Sequence, residues 1–545
     1  MNIHLSIIIR KYLLAISTIA ICYSCADDNW EKHYEANPNQ TSGKTLWEQL
    51  EDQSLLSDFK DLLDSVKVMN GRKITGVSYS DLFRQQYFTV FAPVNGTFNK
   101  DSLLQLCATV KGNEMVARQF VMSHLSRTPY SLSEYTDNMA LMMNGKYLPF
   151  KNFSLAGVNI IVEKSNIVAK NGLIHYVNAR IPYVYNIYEG ITYLPELNGM
   201  GSFLLDFQKD SLDELASVIE GINEDGITVY VDSVLIEKNQ LLRNFGLINS
   251  EDSSYRMIAP SKAGWDNAYE KVSKYFNFGY IPSADSLQKY WTKFTLMKDL
   301  FFNWNIQKAP QDSLVSTQYY FRQPKYHVFY NPFSENGILA NAKEKKVSNG
   351  IIYQVNEWPF NFEDVFFTPI IIEAETEKYI LSVDKEKFRF YRRQVFADSI
   401  SENGYLYVFP IKNSEKPDIS FSIPNTLSGK YDVCVVMLPK TVYDPKTTDF
   451  KPNKFTARVN YFLQNGNSAS ITCRGKDGQN LSFFENNANR VDTIVLTTMS
   501  FPTCNYGQNK ITVNVRLQST VTPKEMTRYS QEMYIDCFYL KPRQD

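Results

Sequence analysis

NGLIHYVN (171–178) and NGIIYQVN (349–356) carry the same Asn-Gly pair, the same paired aliphatics and a closing Asn at the same offset, 178 residues apart. Each octet reads as a turn followed by a buried strand: Asn-Gly favours tight reversal, and the aliphatic and aromatic residues after it suit a pleated, covered surface. A spacing of this size is that of a whole domain, so the pair predicts a duplicated module. A second pair agrees. YFTVFAPVNGTF (87–98) returns as YRMIAPSKAGW (255–265), with Ala92-Pro93 and Ala259-Pro260 separated by 167 residues. The spacings differ by 11 residues, which surface-loop insertions absorb at small entropic cost.

Around the first octet the chain acquires a family likeness. TVFAPVNGTF (89–98), MVARQFVMSHL (115–125) and NGLIHYVNARIP (171–182) resemble, in order, the signature segments of fasciclin-like domains. The resemblance implies an α+β fold, gives His124, Asn171, Gly172 and His175 as motif residues, and links the region around His124 to adhesion. Ser123 departs from it, standing where many relatives have Tyr. The implied boundaries are 44–187 for one fasciclin-like domain and 188–362 for a divergent second, in which Tyr353 replaces His175 and the expected helix Leu287–Trp304 has no histidine. Read from residues alone, Phe120, Val121, His124 and Leu125 share one apolar helical face. A histidine there is a core residue satisfied by a backbone carbonyl sooner than a reactive group. Leu55, Leu56, Phe59, Leu62, Leu63 and Val66 predict an amphipathic helix over 54–66 capped by Ser54.

From 368 to 545 the pattern changes to short alternating runs, as in Ile511, Val513, Val515 and Leu517, with further strands at 431–438, 455–462, 491–497 and 533–540. This predicts an all-β sandwich. IIIEAET (370–376) and MYIDCFYLKP (533–542) resemble the first and last strands of jelly-roll carbohydrate-binding modules, in which a Glu-x-Glu and a late Asp hold a structural calcium. The resemblance carries that role to Glu373, Glu375 and Asp536. Residue chemistry agrees as far as it goes: side chains two apart on a strand share a face, and carboxylate oxygens suit a hard cation. A solvated acidic face is the alternative. All six Trp precede this region, so Tyr405, Tyr407 and Tyr443 are the candidate sugar platforms.

Residues 1–24 read as an export signal, with Arg10-Lys11 before an apolar stretch too short to span a bilayer comfortably. Ser24-Cys25 followed by Asp27-Asp28 resembles the lipidation site and surface-export signal of Bacteroidetes-type lipoproteins, although Cys22 stands where that family usually has an aliphatic residue. Cys25 is then the lipidated residue, 25–43 a tether, and the outer membrane the address. With 57 basic and 58 acidic residues, and no long basic run interleaved with aromatics, nucleic acid is not an expected partner. Five histidines and no zinc-protease, nucleophile-elbow or Walker sequence give no catalytic motif, and the one Cys-x-x-Cys spacing, Cys22 to Cys25, falls at the end of the expected signal rather than in a folded domain. The pairing of Cys434, Cys473, Cys504 and Cys537 stays open. The expectation is a non-catalytic cell-surface lipoprotein that binds glycan or protein, accessory to an outer-membrane glycan-uptake system and its transporter. Its only cofactor would be structural calcium, and the competing reading is an adhesin or scaffold contacting protein or matrix.

Overall fold

The structure, a computed structural model, describes residues 43–223, 228–303, 312–320, 325–395 and 400–543. The expected signal, nearly all of the tether, Cys25 and the Asp27-Asp28 pair lie outside the described residues. Among those described, no helix is long and apolar enough to cross a membrane. Contacts partition the chain differently from the three consecutive domains read from sequence. One compact unit holds the described residues up to Tyr185 together with those of Gln208–Lys238. The other holds Asn186–Phe207 and the described residues from Asn239 onward.

In the first unit, β1 (Phe88–Pro93) runs parallel to β2 (Gly172–Val177), with Phe88 opposite Gly172 and Pro93 opposite Val177. Asn171 fixes this pairing. Its Oδ1 accepts from Leu46 N–H at 2.8 Å, at the start of the capped helix Leu46–Glu51, and its Nδ2 donates to the carbonyls of Phe83 and Gln86. Its own carbonyl accepts from Phe88 N–H. Gly172 is required by close approach, since a Cβ there would lie 2.0 Å from Phe88 O.

The second unit repeats this arrangement. β3 (Tyr255–Ser261) runs parallel to β4 (Gly350–Glu357), with Tyr255 opposite Gly350. Asn349 Oδ1 accepts from Ile187 N–H at 2.8 Å, where the helix Ile187–Tyr193 begins, and Nδ2 donates to the carbonyls of Ile248 and Ser250. Tyr255 N–H donates to Asn349 O, and a Cβ on Gly350 would meet Tyr255 O at 1.9 Å. In both copies the strands preceding the octet pair in two-residue hairpins, Ala169 with Gly172 and Val347 with Gly350. Asn is thus the last turn residue and Gly the first of the strand.

Three helices differ from expectation. Ser54–Leu56 is a 3-10 turn and the α-helix is Ser57–Ser65, so Ser54 caps nothing and Leu55 is exposed. The α-helix before His124 ends at Gln119, and a 3-10 turn, Val121–Ser123, delivers His124 into the core. The expected helix 287–304 is Ala284–Lys298, followed by a strand at Phe301–Asn303.

The C-terminal part is a β-sandwich. β5 (Ile370–Glu373) pairs with the last strand, and one sheet runs β6 (Phe388–Gln394), β7 (Gly404–Pro410), β10 (Met533–Arg543), β8 (Gly429–Met437), β9 (Asp492–Phe501). The facing sheet contains Asp418–Ser422, Asn514–Ser519 and Lys454–Phe462. Leu406, Val408, Ile535 and Phe538 fill the space between them, and this core is continuous with that of the second module through Phe366, Phe367 and Tyr431. Cys107, Cys434, Cys473, Cys504 and Cys537 are unpaired.

Truncating Asn171 or Asn349 to Ala deletes three buried or part-buried hydrogen bonds, at about 1 kcal/mol each. Each variant should lose about 3 kcal/mol of stability, confined to its own unit. Hydrogen exchange would show faster amides in 172–177 for Asn171→Ala and in 350–357 for Asn349→Ala. Unchanged exchange in both would contradict the equivalence.

Candidate metal centre

The last strand carries a β-bulge. Val435 lies opposite Phe538 and Met437 opposite Ile535, so Asp536 and Cys537 together face a single residue. An extra residue re-aims the side chains next to it. Ile535 and Phe538 both point inward, while Asp536 and Cys537 turn to the outer face. β5 supplies the partner: Glu373 lies opposite Cys537, and oxygens of Glu373 and Asp536 and the Cys537 sulfur lie within 4.8 Å of one another. Glu375 follows on the same face, where Gly404 leaves it room, since a Cβ there would sit 2.1 Å from Glu375 Oε1.

The carboxylates are short of donors. Ser401 N–H reaches Asp536 Oδ1 at 3.1 Å and Ser401 Oγ donates to Glu373 Oε1 at 2.7 Å. Glu373 Oε2 and Glu375 Oε2 are buried with no hydrogen-bond partner, and no ion pair to these acids occurs among the described residues. Burial, and then repulsion among the acids, push Glu373 and Asp536 up to about 7 and raise Glu375 as well. Burial also raises the Cys537 thiol, which keeps it protonated and a poor ligand. Two orphaned oxygens in an uncompensated acidic cluster fit a hard, oxygen-seeking cation. Glu373, Glu375 and Asp536, the residues singled out in sequence, would hold it. Cys537, Ser401 and Gly404 were not foreseen, because strict alternation hides a bulge.

The motif histidines are used differently. His124 is fully buried; its Nδ1–H donates to Phe120 O at 2.7 Å and Nε2 accepts from Ile181 N–H at 2.9 Å. His175 stacks on Phe91 at 5.2 Å, bonds Tyr130 O through Nε2, and accepts from Asn166 N–H at Nδ1. Desolvation lowers both to about 4. Strand register identifies the counterpart of His124: Phe91 N–H bonds His124 O as Ile258 N–H bonds Leu300 O. Buried Leu300 therefore occupies that place in the second module.

The outer face of the sandwich also holds a cluster of aromatic residues. Arg389, Tyr391 and Arg393 of β6 lie opposite Phe409, Tyr407 and Tyr405 of β7, and the Tyr407 and Tyr534 rings stack at 4.8 Å and 3°. Tyr405 and Tyr407 are buried in this stack and are not themselves platforms. Tyr443 is 44% exposed and Tyr391, which sequence reading passed over, is 46% exposed. The Arg393 guanidinium lies over both rings, at 5.3 Å from Tyr391 and 5.6 Å from Tyr443.

Comparison with known proteins gives one family match: residues 56–181 fit the Fasciclin domain. No curated protein matches the sequence. Among solved structures, the chain is similar to the CBM35 of Cellvibrio japonicus Abf62, with 11% identity over 32% of this chain and 95% of that one, at a TM-score of 0.18. It is also similar to the CBM22-1 xylan-binding domain of Paenibacillus barcinonensis Xyn10C, with 9% identity over 33% and 95% of the two chains, at 0.20. The Clostridium thermocellum endo-1,4-beta-D-xylanase 10B CBM22-1-GH10 modules give 10% identity over 30% of this chain and 29% of theirs, at 0.19. The fasciclin match is therefore confined to residues 56–181, and the C-terminal β-sandwich rests on the strand topology described above.

Two expectations follow from the electrostatics. Without metal, Glu373 and Asp536 bind protons more tightly folded than unfolded, so the second unit loses stability as pH rises from about 4 through 7. Calcium at a hundredfold excess over its Kd should restore about 2.7 kcal/mol, with a larger rise in melting temperature at pH 8 than at pH 6, and Glu375→Gln should weaken it. Calorimetry with calcium and with chelator tests this; no calcium shift at pH 8 removes the site.

For His124 and His175 the sign is reversed. The unfolded imidazoles protonate first, so the first unit loses stability as pH falls from 6.5 toward 4, by roughly 2 kcal/mol per histidine at pH 5. His124→Leu, the residue type of the second module, should be less stable at pH 7 but flatter between pH 7 and 5. An unchanged acid profile would show that His124 does not govern it.

Proposed function

We propose that the protein is a non-catalytic surface lipoprotein that holds a glycan against the outer face of its C-terminal sandwich. The observation that carries this is the pair Tyr391 and Tyr443, solvent-exposed and flanking Arg393 on a rigid stack of buried tyrosines. Exposed rings with fixed orientation offer apolar faces to the C–H sides of sugars, and Arg393 supplies fork-like donors for hydroxyl or acid groups. The carboxylate cluster on the same face, with bound calcium, ties the first strand of the sandwich to its last.

A binding role agrees with the histidines, whose ring nitrogens bond backbone groups in His124 and His175 and Asp299 in His327. On this reading the second module is a divergent fasciclin domain, supported by the matched bonds of Asn171 and Asn349. Ser24-Cys25 supports a lipid anchor on the outer membrane, and the combination suits an accessory to a glycan-uptake transporter.

A protein-contacting adhesin or scaffold is favoured by a different feature. The hairpin of Val218–Ile222 and Thr228–Asp232 exposes Val218, Ile219, Ile222 and Val231, more apolar surface than a hairpin in water needs.

Affinity electrophoresis in a panel of polysaccharides separates the readings. Tyr391→Ala with Tyr443→Ala should reduce retention about tenfold or more, in line with the loss of aromatic anchors at binding sites, with no change in melting temperature. Failure of the wild type to bind any polysaccharide, with retention of a membrane protein partner, would favour the adhesin.

A further inference from the structure

Within the second unit, the module and the sandwich meet at a cleft of about 440 Å³, inside the roughly 300–1,000 Å³ range of ligand sites. Its rim is cationic. Lys271 and Lys274 come from the end of the helix Lys262–Ser273, Lys430 from the start of β8, and Arg543 from the end of β10. No carboxylate lines it. A helix C-terminus attracts cations by itself, which accounts for Lys271 and Lys274. It does not account for Lys430 and Arg543, which two other strands bring to the same rim. Lys430 and Arg543 are ion-paired, Lys430 Nζ with Asp477 Oδ2 at 3.6 Å and Arg543 Nε with Asp432 Oδ2 at 3.4 Å, whereas Lys271 and Lys274 have no carboxylate partner among the described residues and carry the uncompensated charge of the rim. The local charge is concentrated in a chain whose net charge is −1.

The walls are fixed. Ser428 N–H donates to Tyr275 O at 2.9 Å, Asn277 N–H to Ser428 Oγ at 3.2 Å, and Cys504 N–H to Asn277 O at 2.7 Å. Tyr275 packs on Phe362 and Phe367 at 5.7 and 4.7 Å. Gly429 keeps its backbone against these rings, since a Cβ there would lie 2.9 Å from Phe367. The result is a preformed aromatic floor with an acid-seeking rim, and the side-chain amides of Asn277 and Gln464 add hydrogen-bonding capacity.

We propose that this cleft binds a short segment of an anionic glycan, carboxylated or sulfated. Tyr275 and Phe362 lie against its ring faces, and Lys271, Lys274, Lys430 and Arg543 against its acid groups. The inference rests on the glycan-binding reading above and adds a second site with its own ligand class, removed from Tyr391 and Tyr443.

The test is affinity electrophoresis of the full chain in gels containing polygalacturonate, dextran sulfate or neutral xylan, with a single-stranded oligonucleotide as competitor. Lys271→Glu/Lys274→Glu is compared with Lys343→Glu/Lys346→Glu, which changes net charge equally on an exposed strand elsewhere. The cleft variant should lose retention by at least one acidic polymer tenfold or more while the control keeps it. Loss confined to polygalacturonate assigns carboxylates; loss confined to dextran sulfate assigns sulfates. Equal losses in both variants, or competition by oligonucleotide as strong as by the glycan, would overturn the cleft. Retention by xylan alone would overturn the cleft and spare the glycan reading, whereas no retention in any gel would remove both.

Discussion

A carboxamide can accept through its oxygen and donate twice through its nitrogen, and Asn171 and Asn349 use that capacity where two elements end beside each other. A helix start leaves amide hydrogens without partners, and the segment before a buried strand leaves carbonyls without them; both cost free energy if left dry. One side chain satisfies an amide of the first helix and two carbonyls ahead of the central strand, while its backbone oxygen begins the parallel pairing. The following glycine lets the neighbouring strand close in. With that junction held, much else can differ. Leu300 replaces His124, Tyr353 replaces His175, and the second sheet adds Ser313–Tyr320 and Lys325–Tyr330 beyond its edge.

This explains which parts of the fold were legible. The Asn-Gly octets announced the repeat because a hydrogen-bonding role leaves little freedom of residue type, although they read as turns when the Asn also bridges distant segments. Sandwich strands such as Lys454–Phe462 and Gly429–Met437 stood out by alternation. The turn at Val121–Ser123 did not, because Phe120, Val121, His124 and Leu125 fit a helical stripe and are all buried; periodicity cannot separate an α-helix from a 3-10 turn leading into a strand. The cleft of Lys271, Lys430 and Arg543 was invisible in principle, since it gathers residues from three distant segments.

The sandwich shows how a single extra residue creates chemistry. In a regular strand Asp536 and Cys537 would point to opposite faces. The bulge turns both outward beside Glu373, leaving acids that repel one another and oxygens without donors. Proteins tolerate such a cluster when protons or a cation neutralise it. Nearby, the continuous core through Phe366, Phe367 and Tyr431 makes the second module and the sandwich one body, and the joint itself becomes a surface with properties neither part has alone.

The insertion Gln208–Lys238 has a consequence for how such a chain is inherited. It leaves the second unit, lays Leu235 against Gly71 and places Asp210 and Glu237 beside Arg72, then returns. The polypeptide therefore passes between units at 185/186, 207/208 and 238/239. No single recombination break can deliver either unit whole. A fragment ending before the insertion strips Gly71 and Arg72 of their partners, and one beginning after Tyr185 carries a hairpin with nothing to lie on. With that insertion in place, the two units can differ freely in sequence but cannot be separated by a single cut of the chain.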